Sequence, residues 1–444
     1  MIGERGWVND QIGHVDIDHF DLHPRVLGIF LGVFNIDTPS KVETVTRSFG
    51  IAKSVFAPFM VKAAIDMLPH LQRAVRENEN ARVVFVGRDA FSLGFATKIL
   101  NGPFHARHCT DMYLSRSIVD AALAELEEGG ATFADIAAFR RPARSRTDSA
   151  WGALERYFQE KEVDFTDSRT EIILVDSGYK GSVQEMLSAA FPDTRFHGHY
   201  IFFDPAPADP HPGTKRGYAL NLDYDTGFGG RALRDEMPEQ PELTYAHHEA
   251  IVAIEEMLQG SQLSPPSLSP AGKPLTWRYR RTRDPWKGLN PKRIAYGYRD
   301  VLLREGVLTM NVIAVSKLAE RIAGLVDTDA EGWHDAATQA DWYAELEFKN
   351  NLLRDQIRAW VTYGSTVSSF AELLDSFVHR SDSAIIERIS KDMSEQNFSE
   401  WERDLIWGAF DRCRSLPEST RLAAQPVTAL LEELRAAVWP NPVE

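Results

Sequence analysis

The sequence predicts an α/β fold built on a parallel sheet of Rossmann-like type, covered by helices on both faces. Three observations carry this: apolar, β-branched runs too short for globular helices, helical periodicity between them, and small or polar residues where the runs end. The runs are ARVVFV (81–86), MYLSRS (112–117), IILVD (172–176) and RFHGHYIFFDP (195–205), with YALNLDY (218–224) as a further strand-like stretch.

In chain order, residues 39–78 carry apolar residues at helical spacing and read as two helices broken near Pro58 or Pro69, within an N-terminal helical cap over residues 1–80. The first strand, Ala81–Val86, stops at Gly87, and Ser92–Leu100 is the helix behind it. The second strand candidate, Met112–Ser117, leads into the helical IVDAALAELEEGG, which Gly129 and Gly130 stop. The third strand is followed by a helix over Val183–Ala190, and the α/β core is assigned to residues 81–225. Residues 226–290 read as an irregular connecting segment, in which SQLSPPSLSPAGKP (261–274) is a linker or long loop. Residues 291–444 read as a helical C-terminal domain, with Trp and Leu at helical spacing. There is no internal repeat.

The 444 residues suffice to bury a core without disulfides or structural metal. Only Cys109 and Cys413 are present, far apart, which points to a reducing compartment and the cytoplasm. No signal-peptide core and no membrane-length apolar run is found, so no membrane partner is expected. A net charge of -15 disfavours broad nucleic-acid binding. A homo-oligomer is compatible with this composition.

Strands separated by helices place ligands beyond the carboxyl ends of the strands. IILVDSGYKGSV (172–183) ends a buried strand in Asp176 and continues through Ser177, Gly178, Tyr179, Lys180, Gly181 and Ser182 into a helix. Glycines let backbone N–H groups turn inward, a helix N-terminus adds positive potential, and Ser and Lys supply a donor and a charge. Two readings of this stretch stand: a phosphate cradle, and a tight strand-to-helix turn. VVFVGRDA places Arg88 and Asp89 at another such strand end, either as a salt bridge holding the loop or facing the same crevice, and YLSRS adds Ser115 and Arg116 at a third.

The order strand-GRDA-helix, YLSR, then strand-VDSGYKGS-helix resembles the type I phosphoribosyltransferase-like family, over about residues 81–205. It is most similar to an uncharacterised bacterial branch with RDG, SR and VDxGxxG motifs, found beside predicted haloacid-dehalogenase-type phosphatases. The resemblance implies glycosyl transfer from a pyrophosphorylated sugar such as phosphoribosyl pyrophosphate to a small-molecule or nucleobase acceptor. It implies phosphate binding at Ser177, Gly178, Tyr179, Lys180, Gly181 and Ser182, with Ser115 and Arg116 as further substrate contacts. Asp176 would bind a sugar hydroxyl or hydrated Mg²⁺, and Arg88, beside Asp89, the pyrophosphate leaving group. The chain departs from the family in two ways: Ser177 follows Asp176 where a second acid is usual, and the glycine loop is shorter. Nucleotide or sugar-phosphate hydrolysis in the same pocket, and non-catalytic binding of a phosphorylated ligand, are the alternatives.

Other stretches carry weaker signals. FRRPARSR (139–146) is either a solvated basic loop or one that closes over a polyphosphate, and the basic, aromatic 273–293 stretch suits an acidic interface or a nucleotide. HVDIDHFDLH (14–23) holds possible metal ligands without a fixed spacing, and YAHHEAIVAIEEML (245–258) reads as a solvated helix face. Gly178 stands where a haloacid-dehalogenase phosphatase needs its second Asp, and no Gly-x-Ser-x-Gly elbow, Walker loop or His-Glu-x-x-His motif is present.

Overall fold

The computed structural model of the protein describes residues 18–140, 149–163, 165, 169–206, 208–221, 264–275 and 301–351. The first helices are α1 (Pro24–Val33), α2 (Pro39–Ile51) and α3 (Ala57–Glu77), with a π-helical turn at Ala52–Phe56 between the last two. Of the two break points that the sequence offers, the chain uses the one beside Pro58. That proline lies just past the π-helical turn, a local widening that accommodates its ring and missing N–H, whereas Pro69 is accommodated inside the helix.

The sheet follows: β1 (Ala81–Gly87), α4 (Phe91–Leu100), α5 (Gly102–His108), β2 (Cys109–Tyr113), α6 (Arg116–Glu128), α7 (Ala150–Glu160), β3 (Glu171–Asp176), α8 (Ser182–Ala190), β4 (Arg195–Phe203) and β5 (Lys215–Asn221). Its order is β2-β1-β3-β4-β5, and every neighbouring pair is parallel. β2 begins and ends earlier than MYLSRS suggests. Ser115 takes the N-cap of α6 and its hydroxyl accepts from the Ile118 N–H, so the chain has turned into the helix where a longer strand would continue.

Successive strand residues point to opposite faces, and the sheet splits its side chains accordingly. Val83, Phe85, Ile173, Val175 and Ile201 join one core with residues of α1 to α4 and of α9 (Val301–Ala323). Val84, Val86, Ile172, Leu174 and Phe196 join a second core with α6, α7 and α8. At about 2 kcal/mol for each fully buried Val or Ile, the central strands alone contribute a large share of the stabilisation. The result is three layers, helices on both faces of a parallel sheet.

β4 and β5 are joined without a helix, by residues 204–214. The Ser/Pro-rich segment forms a short antiparallel ladder, β6 (Ser267–Leu268) with β7 (Pro274–Leu275). It is fastened to the body: Leu268 is buried in the second core, and the Pro265 and Pro270 carbonyls accept from Ser115 Oγ at 2.7 Å and Arg156 Nε at 2.8 Å. Beyond α9 come α10 (Trp333–Thr338) and a helical stretch over 341–351. No helix among the described residues is long and apolar enough to cross a membrane.

Candidate functional site

In this strand order the sheet grows one way from β1 to β2 and the other way from β3 to β5. The reversal falls between β1 and β3, which are direct neighbours with Phe85 opposite Val175. Ligand crevices in open parallel sheets form at such a reversal, outside the carboxyl ends. The Arg88–Asp89 turn and the Ser177–Ser182 turn are therefore side by side at its mouth. Gly87–Arg88 and Gly178–Tyr179 are both cis peptide bonds.

The β3 turn is fixed along the projecting end of β4. The Phe202 N–H donates to the Ser177 carbonyl and the Asp204 N–H to the Tyr179 carbonyl, both at 2.9 Å, while Asp176 Oδ1 accepts from the Ser177 N–H at 2.8 Å. Gly178 has φ 133°, and a Cβ there would stand 2.1 Å from the Phe202 carbonyl oxygen, so the position admits only glycine. Gly181, at φ 70°, is the N-cap of α8 and gives that helix no side-chain cap. Ser182 is the first helical residue, Lys180 is exposed, and Ser177 is buried. The arrangement offers a helix amino terminus, one mobile-stemmed cation and one carboxylate to a ligand in the crevice.

At the β1 turn, Arg88 grips Asp89 through both carboxylate oxygens, Nε to Oδ1 at 2.7 Å and Nη2 to Oδ2 at 3.3 Å. The salt-bridge reading of this pair is thus realised, and the guanidinium of Arg88 is partly neutralised by it. Ser115 is engaged by Pro265 and by its capping role, and Arg116 is an exposed residue at the start of α6. Of the predicted site residues, the structure brings together those on β1 and β3; the β2 pair lies at the next strand end outward.

A buried ionic network beneath the β3 turn escaped the sequence reading. Lys215 Nζ, at the start of β5, bonds Glu185 Oε1 and both oxygens of Asp209, at 2.8 and 3.0 Å. Glu185 Oε2 also meets His211 Nδ1 at 2.7 Å. Beside it, the Tyr200 hydroxyl donates to Gln184 Oε1 at 2.9 Å and Gln184 Nε2 donates to Thr214 Oγ1 at 2.9 Å. Burial, with Asp176, Glu185 and Asp209 nearby, pushes the Tyr200 phenol well up. The only available signal was polar Gln184 and Glu185 at positions of α8 adjoining the apolar Met186 and Leu187.

On the opposite sheet face His199 Nδ1 meets the Tyr218 hydroxyl at 2.7 Å, with His70 of α3 packed against both rings. Burial lowers His199 to about 3, with His70 and Arg216 adding to the effect, and burial lowers His70 to about 4, helped by Arg216 and Arg73. Both rings are neutral at pH 7.

Within HVDIDHFDLH, His19 contacts the Thr46 carbonyl, Asp21 pairs with Lys317 and His23 caps α1; the residues before Asp18 lie outside the described ones. Arg140 pairs with Asp120 and Glu127, whereas residues 141–146 of its arginine-rich segment, residues 276–293 of the basic stretch and 245–258 lie outside the described residues. Among the described residues, no group of three or more His, Cys, Asp or Glu is disposed to hold a metal ion. No protein-family model matches the chain, and a search of curated proteins finds none similar to it.

Proposed function

We infer that the protein is a phosphoribosyltransferase-like enzyme that transfers a glycosyl group from a pyrophosphorylated sugar to a small-molecule or nucleobase acceptor in the cytoplasm. The observation that carries this reading is the adjacency of the Arg88 and Gly178–Ser182 turns at the strand-order reversal. One turn suits the sugar phosphate, through the α8 amino terminus and Lys180; the other suits the leaving pyrophosphate, through Arg88.

In such a transfer the bond from the anomeric carbon to the pyrophosphate oxygen breaks as the acceptor's lone pair attacks that carbon. Cationic clamps on the leaving group and orientation of the acceptor would supply most of the rate enhancement. Mg²⁺ binds through one or two carboxylates plus substrate phosphates, and Asp176, at the carboxyl end of β3, is the carboxylate that would share it with a ligand. The metal would neutralise charge on the departing pyrophosphate. Asp176 would otherwise orient a sugar hydroxyl.

Binding of a phosphorylated ligand without catalysis is the second reading. It is favoured by the engagement of the Asp89 carboxylate with Arg88. Thermal-shift measurements with phosphoribosyl pyrophosphate, nucleotides and sugar phosphates, each with and without Mg²⁺, test the pocket; a ligand at 100 Kd stabilises by about 2.7 kcal/mol. Stabilisation by none of them rejects both readings. Pyrophosphate release then identifies transfer, inorganic phosphate release identifies hydrolysis, and release of neither leaves a binding protein.

A further inference from the structure

The β3 turn ends on Gly181, and beneath Gly181 lies Lys215. A Cβ on Gly181 would be 2.7 Å from Lys215 Cε, 2.8 Å from its Cδ and 3.1 Å from the Tyr200 hydroxyl, so the turn's backbone rests on these two side chains. The lysine itself is immobile. Its side chain is 1% exposed, and its three ammonium donors face Glu185 on α8, Asp209 on the β4–β5 connection, and the His211 carbonyl at 3.4 Å. Glu185 is fully buried, and its N–H donates to the Gly181 carbonyl at 3.0 Å, so the carboxylate that holds Lys215 is one helical turn from the residue that Lys215 supports. Gln184, the preceding residue, is tied to Tyr200 of β4 and to Thr214.

The first turn of α8 is thus keyed to β4, β5 and the connection between them by buried polar contacts. Its N-cap residue, Gly181, supplies no side-chain cap. Buried charges held in this way are geometrically exacting, since any displacement leaves a charge without its partner. We propose that Lys215, locked by Glu185 and Asp209, is the positioning residue that sets the α8 amino terminus and the Gly178–Ser182 turn for phosphate binding. Lys215 touches no ligand; it acts through Gly181 and Glu185. The proposal rests on the phosphate reading of that turn, and its test separates the two.

Removing Lys215 alone would strand two buried carboxylates, so the informative full-length variant combines Lys215→Met, Glu185→Gln and Asp209→Asn, which removes every charge of the trio. Calorimetric titration with ribose 5-phosphate, the kind of group assigned to this turn, well below the melting transition, should give a Kd raised at least about tenfold while near-ultraviolet dichroism stays native. Amide hydrogen exchange at residues 185–188, the first amides of α8 with intrahelical acceptors, should accelerate relative to α6. A natively folded variant with wild-type Kd and wild-type exchange overturns the proposal. If wild type takes up none of the phosphate probes, the phosphate reading fails, and unchanged exchange at 185–188 in the variant then also ends the positioning role. Should the triple variant not fold, Glu185→Gln alone keeps a balanced Lys215–Asp209 pair and is held to the same two measurements; wild-type values in both reject the proposal.

Discussion

Gly181 sits on the aliphatic stem of Lys215 so closely that a Cβ would stand 2.7 Å from Lys215 Cε. A side chain at position 181 would have to displace a fully buried, ion-paired lysine, and it would also meet the left-handed φ of 70°. Gly181→Ala should therefore destabilise the protein by about 2–4 kcal/mol, from backbone strain plus overpacking. Gly178→Ala should cost more, because its obstacle is the Phe202 carbonyl at 2.1 Å rather than a side chain. Urea denaturation of both variants checks the order; equal and negligible losses would mean that the turn is not so constrained.

Lys180 is exposed, so Lys180→Ala should leave the unliganded stability within about 0.5 kcal/mol of wild type. The same substitution should abolish stabilisation by phosphate ligands. Asp176→Ala should abolish it too, with a modest loss of unliganded stability because the Ser177 N–H loses its acceptor. Normal ligand response in both variants would place the pocket elsewhere.

The buried histidines give stability a pH dependence of defined sign. His199 and His70 have folded values near 3 and 4, against 6.5 when unfolded, so below pH 6.5 the unfolded chain takes up protons that the folded chain refuses. Stability should fall as pH drops from 6.5 toward 4, by up to about 1.4 kcal/mol per pH unit through the buried His199 and by a smaller share through the half-buried His70, whose shift solvent screens. His199→Gln should remove one histidine's share of that slope in urea titrations between pH 6.5 and 5. An unaltered slope would show that His199 protonates freely in the fold.

Cys109 lies at the start of β2, and burial, reinforced by Asp111, pushes its thiol well above the ordinary range. The thiolate is the reactive form. Iodoacetamide at mildly alkaline pH should therefore leave Cys109 largely unmodified in the folded protein and modify it readily in denaturant, as read by peptide mass spectrometry. Rapid native labelling would contradict the assigned burial.

The sheet was legible because buried parallel strands are short apolar runs, and ARVVFV and IILVD announce themselves by composition alone. The end of β2 was not, since whether Ser115 extends a strand or caps a helix depends on the Ile118 N–H rather than on the residue itself. Asp176, Gly178 and Gly181 stood out because chain geometry at a strand end restricts residue type. Lys215, Glu185 and Asp209 did not, because the trio joins a helix to a loop and a strand that only the folded sheet brings against it, and each member alone resembles a surface charge. The role of Arg88 was divided in the sequence between loop salt bridge and ligand contact; its bidentate hold on Asp89 realises the first and leaves the second to the titrations above.

The first core takes residues from α1 to α4, from one face of the sheet and from α9 onward, including Phe30, Phe59, Val83, Ile173, Leu303 and Trp333. The polypeptide that carries both polar turns is consequently not self-sufficient. A fragment spanning 81–221 would keep α4 and α5 against β1 but lose α1 to α3 and α9, so that apolar residues of the sheet such as Phe202, stacked on Phe59 of α3, would face water, the kind of surface that drives association. Residues 20–77 and 301–346 thus share one core with the strands that carry the crevice, and a truncation or fusion that separates them should yield an insoluble product rather than a smaller working protein.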